Sequence, residues 1–159
     1  MFKLVTIATK ESEVFLRKKA KEVSDPGSIT RAFVSEMKKT MIAANGIGLA
    51  ANQIGEECKM FVAVHAGKFY TLINPEIIKS SAEEEEAEEG CLSVPMIYGP
   101  VKRAAKVIIQ GTDMRGKVVK IKAVGLLARI FQHEIDHLNG KLFIDRAASL
   151  YRVDGEVKA

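Results

Sequence analysis

The pentad His133-Glu134-Ile135-Asp136-His137, inside residues 124–140, constrains this chain more than any other stretch. Leu126, Leu127, Ile130, Phe131, Glu134, His137 and Leu138 recur at three- and four-residue intervals, no Pro interrupts them, and Asn139-Gly140 is a stop signal. The spacing predicts a helix. On it, His133 and His137 stand one turn apart and project from one face. Two imidazoles so held supply two metal ligands, and Glu134 between them reaches water at the metal. The bland alternative is a pair of surface histidines that happen to lie four apart.

The rest of the chain reads as scaffold. At 159 residues it is long enough for one domain with a buried core, expected to span 1–159 with 146–159 as a short tail. Residues 1–24 mix short apolar and basic pieces, with Phe15-Leu16 as the anchor. Asp25-Pro26 reads as a helix start, and Ile29, Phe33, Met37, Met41 and Ala44 mark one face up to about Ala44. Residues 59–65 and 69–73 read as a hairpin turning at Gly67-Lys68, and Asn74-Pro75 separates them from a further short strand at 76–79. The acidic run at 83–86 reads as a solvated loop. Glu89 stands apart from it because Gly90-Cys91-Leu92-Ser93 follows at once. Pro95 and Gly99-Pro100 mark turns. Residues 105–113 and 118–123 alternate as two more strands, and Leu142-Phe143-Ile144 packs after the helix. The fold class is α+β: antiparallel sheets around a late metal-binding helix, with one helix near the N-terminus.

Two histidines do not complete a catalytic metal site, which uses three protein ligands and leaves a position for water. The third can be His65, Cys91 or a carboxylate. A zinc protease places it downstream, where only Asp145, Asp154 and Glu156 stand, none at good spacing. Gly46 and Gly48 permit close backbone approach. Their segment lacks the other features of a dinucleotide- or phosphate-binding loop.

Three motifs in order, Gly46-Ile47-Gly48-Leu49-Ala50-Ala51-Asn52-Gln53, Glu89-Gly90-Cys91-Leu92-Ser93 and Gln132-His133-Glu134-Ile135-Asp136-His137, resemble the signature motifs of peptide deformylases. The likeness runs from the first helix to Phe143. It implies that Cys91, His133 and His137 hold one divalent metal, natively Fe(2+), with Zn(2+), Ni(2+) or Co(2+) as substitutes. It implies removal of the formyl group from N-formyl-methionyl peptides and nascent chains. Glu134 would be the general base, with the Gln53 side chain and the Leu92 backbone N–H stabilising charge on the formyl oxygen. Ile47, Gly48, Gly90, Leu126 and Ile130 would hold the peptide and its methionine side chain. An Arg103–Asp136 ion pair would steady the ligand helix. One departure stands out: position 52 is Asn, where many members carry Pro or another small residue.

The alternatives are a metallo-amidase acting on another N-acyl group and a non-catalytic metal-binding relative. A binding module has no use for Glu134 or Gln53. The net charge of +4 comes from Lys and Arg spread along the chain, so no nucleic-acid partner is expected. No apolar run approaches a bilayer span and no export signal opens the sequence, so no membrane partner and a cytoplasmic location are expected. Only about fourteen residues follow Asp145, too few for a long helix, and ribosome docking through such a helix is not expected.

Overall fold

The computed structural model describes residues 1–154, in the order α1 (Lys10–Leu16), α2 (Arg31–Ala43), β1 (Gly48–Ala50), β2 (Met60–His65), β3 (Lys68–Ser80), β4 (Glu84–Cys91), β5 (Val94–Ala104), β6 (Lys106–Thr112), β7 (Val118–Val124), α3 (Gly125–Leu138) and β8 (Tyr151–Arg152). All named strand pairs are antiparallel. One sheet runs β1-β2-β3-β6-β7 and a smaller one β4-β5-β8. This is the expected α+β architecture. The far end of the 146–159 tail, from Gly155 on, lies outside the described residues.

β2 explains how the layers meet. Successive side chains of a strand point to opposite faces. Met60 and Val62 pack with Val34, Met37 and Met41 of α2, whereas Phe61 and Ala63 pack with Ala128, Phe131 and Leu138 of α3. The large sheet is therefore covered on both faces at this strand, so its sequence reads as an unbroken apolar run. Each fully buried Phe or Leu here contributes about 1.5–3 kcal/mol. A third cluster joins Leu16 of α1 to Val94 and Val101 of β5 and to Leu142 and Phe143 after α3.

Several local expectations give way to tertiary context. The Asp25-Pro26 signal opens only a 3-10 turn, Pro26–Ser28, whose Gly27 amide donates to the Asp25 side chain. The helix proper begins after Thr30, whose hydroxyl accepts from the Phe33 amide at 3.1 Å. A helix also forms earlier, at α1, capped reciprocally by Thr9 and Ser12. Asn74-Pro75 does not end the strand: β3 runs on to Ser80 with a register shift between Ile73 and Glu76. Asn74 takes positive φ there, and its carboxamide exchanges two hydrogen bonds with the Val23 backbone, at 2.8 and 2.9 Å.

Beyond Glu83 the acidic run is not a loop, and Pro95 and Gly99-Pro100 are not turns. They lie on β4 and β5, which pair from Glu84–Ala104 to Gly90–Tyr98 and turn at Leu92-Ser93. The glutamates at 84–86 remain exposed on an edge strand, where charge discourages further pairing.

α3 departs from the one-striped helix that its spacing suggests. From Ala128 to Leu138 nearly every residue is buried, including Arg129, Gln132, Glu134, Asp136 and His137. A polar group in such a place must be hydrogen-bonded or functional.

Candidate active site

Three elements deliver the site: α3, the β4–β5 hairpin end, and the 3-10 turn Ala51–Ile54 after β1. The His137 and His133 Nε2 atoms lie 3.2 Å apart, and Cys91 Sγ lies 3.2 Å from His137 Nε2. Among the described residues these three form the group able to hold a metal, with donor atoms all within 4.8 Å of one another. His65, at the end of β2, is not among them. Asp145 instead pairs with Arg17 at 3.0 Å, Asp154 is exposed, and Glu156 lies outside the described residues.

The donor set fits a divalent ion. Two ligands about 2.0 Å from a shared ion in tetrahedral geometry stand about 3.3 Å apart, close to the separation of the two imidazole nitrogens. Burial pushes the Cys91 thiol up, but the two imidazoles outweigh it and hold the thiol well below its ordinary value. That lowering favours the thiolate, the form that binds metal. Burial pushes His133 down, but its hydrogen bonds to Cys91 and Glu89 carry it well above its ordinary value in the metal-free protein.

His133 is oriented from behind. Its Nδ1 meets Glu89 Oε2 at 2.9 Å, which turns Nε2 toward Cys91 and His137, and its ring stacks near that of Phe143. Gln53 is oriented too. Its Oε1 accepts from the Ala50 amide at 2.9 Å, so Nε2 faces Ser93 Oγ at 3.2 Å and Cys91 Sγ at 3.5 Å. The N-terminal segment ties these loops together, Val5 N–H donating to Gln53 O and Ile7 N–H to Ser93 O.

Glu134 is 4% exposed, its Oε2 has no partner among the described residues, and burial raises its carboxyl above the ordinary value. Gly48 stands against it: a Cβ there would lie 2.9 Å from Glu134 Cδ, with Oε1 closer still. A cavity of about 550 Å³ opens in front of these groups, between the edge strands β1 and β4. Ile47, Gly48, Gly90, Leu92, Leu126 and Ile130 all line it, as do Gln53, Glu134, His133 and Cys91. Gly90 leaves room for the Tyr98 ring, which a Cβ would meet at 2.5 Å.

With this arrangement in place, comparison with known proteins is decisive. The polypeptide deformylase family pattern matches residues 2–153. The chain belongs to the polypeptide deformylase family. The peptide deformylase of Dictyoglomus thermophilum is 44% identical over 138 residues, covering 87% of this chain and 90% of its own. The crystal structure of the Thermotoga maritima peptide deformylase superposes with a TM-score of 0.87 at 37% identity, over 94% of this chain and 99% of that one. A Synechococcus elongatus peptide deformylase in complex with actinonin gives 0.86 at 38% identity, over 93% and 79%.

In this deformylase, some supporting residues went unread in the sequence. Glu89 accepts from Arg103 and Arg129 besides meeting His133. Arg103 also donates to Asp136 at 2.8 Å, as expected, and Arg146 adds a fork to the same carboxylate at 2.6 and 2.9 Å. The Arg103 and His133 contacts outweigh burial and hold the Glu89 carboxyl well below the usual carboxylate range. Asn52 Nδ2 donates to the His137 carbonyl at 2.6 Å. One signal was present: Arg129 precedes His133 by one helical turn, on the same face.

Proposed function

We propose that this chain, acting as a single catalytic domain, hydrolyses the N-formyl group of formyl-methionyl peptides and nascent polypeptides, releasing formate and a free α-amino group. Membership of the deformylase family makes it a metal-dependent hydrolase. The observation that carries the reading is the convergence of Cys91, His133 and His137 beside a buried Glu134, all facing one cavity.

The donors would hold Fe(2+) natively, with Zn(2+), Ni(2+) or Co(2+) as substitutes, since one thiolate and two imidazoles suit each of them. When bound, the ion supplies Lewis acidity that brings the ionisation of water toward neutrality and draws charge from a carbonyl. Glu134 takes the proton of the attacking water and returns it to the departing amine as the carbon–nitrogen bond breaks. Burial raises its carboxyl above the ordinary value, which helps it keep the proton between the two transfers. Gln53 Nε2 and the Leu92 N–H meet the formyl oxygen where negative charge grows. A peptide adds to the open edge of β1 at Ile47 and Gly48, opposite β4 at Gly90. Its methionine side chain lies against Ile47, Leu126, Ile130 and the His133 ring.

The test is formate release from formyl-Met-Ala-Ser by protein loaded anaerobically with iron(II), beside Glu134→Ala prepared identically. The variant is expected to lose about 10²–10⁴ in rate while retaining metal. No formate release by the metal-loaded parent would replace this reading with an inactive relative or, if acetate is released from acetyl peptides, with another N-acyl substrate. An active Glu134→Ala would remove the base from its role.

A further inference from the structure

Asn52 is the residue whose chemistry the reaction leaves unused. It is 2% exposed on the turn after β1, and its Nδ2 donates to the backbone carbonyl of His137 at 2.6 Å. Its Oδ1 is buried without a partner among the described residues, and so is His137 Nδ1. His133 differs: its Nδ1 is held by Glu89. An imidazole that offers Nε2 to a metal carries its proton on Nδ1, and ligand histidines donate that proton to an acceptor that fixes tautomer and ring orientation. A buried N–H left without one is costly. The two orphaned atoms are complementary, one a donor and one an acceptor, on residues already joined by a hydrogen bond.

We propose that Asn52 is the positioning residue of His137, its Nδ2 fixing the backbone and its Oδ1 taking the Nδ1 proton through one buried water. A water bridging two such groups costs little to hold and replaces a direct bond well. Asn52 thereby does for His137 what Glu89 does for His133, with a neutral acceptor instead of an anionic one. The inference rests on the metal site proposed above.

The experiment compares the full chain with Asn52→Leu and Asn52→Asp. Zinc affinity is measured by competition with a chelator, and the His137 Nδ1–H resonance is followed in the zinc-loaded, 15N-labelled protein. Leu removes both donor and acceptor, whereas Asp keeps the acceptor alone. Asn52→Leu is expected to bind zinc about 10–100-fold more weakly and to lose protection of Nδ1–H from solvent exchange. Asn52→Asp is expected to keep the protected Nδ1–H, with zinc affinity between those of Asn52→Leu and the parent, because the oxygen in place of Nδ2 faces the His137 carbonyl. Zinc binding and Nδ1–H protection in Asn52→Leu equal to the parent would overturn the proposal. So would loss of Nδ1–H protection in Asn52→Asp, an outcome that counts even if the Leu variant does not fold. A parent that binds no zinc, iron or nickel would instead remove the metal site beneath it.

Discussion

Gly48→Ala tests whether the closeness of β1 to Glu134, the proposed general base, matters to the chemistry. A single methyl group there would stand 2.9 Å from Glu134 Cδ and 3.0 Å from Cγ. Ordinary contact begins near 3.4 Å, so the carboxyl group must retreat by about 0.5 Å, and its nearer oxygen by more. Glu134 lies on a buried helix face between His133 and His137, which leaves little room to retreat. The alternative, overpacking, costs about 1–3 kcal/mol of stability. Misplacing a reacting group by ~1 Å costs on the order of 10²-fold in rate, equal to about 2.7 kcal/mol. The substitution is therefore expected to lower kcat for formyl-Met-Ala-Ser by about that factor. Metal content should stay at one ion per chain, because Cys91, His133 and His137 are untouched. The assay is steady-state formate release, with metal measured in the same samples. Unchanged kcat with only KM raised would refute the reasoning, since it would place Gly48 against the peptide alone and leave Glu134 in position.

Glu89→Gln removes the one carboxylate shared by Arg103, Arg129 and His133, and is expected to destabilise the fold by about 3–5 kcal/mol in a urea titration, with zinc affinity reduced as well. An acid limb should follow from the same groups. The Glu89 and Asp136 carboxyls lie below their ordinary values of 4.5 and 3.8 when folded, because their arginine and histidine partners outweigh burial. Their contribution to stability is thus fully present above those ordinary values and is lost as pH falls through the depressed folded ones. The urea midpoint of chelator-treated protein should fall steeply below about pH 4, and Glu89→Gln should flatten that slope. An equally steep fall in both proteins would assign the acid limb to other groups.

The sequence already carried the local part of this molecule. The periodicity around His133 and His137 specified α3 and the two-ligand face, since helical spacing is set within a few residues of chain. The hairpin of β2 and β3 and the pair β6 and β7 were legible for the same reason: alternation and turn residues are local. Three motifs together carried the family. What no window of sequence contains is the partner of a long-range contact. The glutamates of β4 look like a solvated loop until β5 pairs with them. Cys91 comes within 3.2 Å of His137 from 46 positions away, brought there by the hairpin end that α1 and Phe143 hold in place. Glu89 and Asn52 acquire their roles only when their side chains meet α3, at His133 and at the His137 carbonyl. Residue type and spacing determined which atoms were available to bind a metal and move a proton. Packing of distant segments decided which of them converge, because burial leaves each polar group only the partners that the fold brings to it.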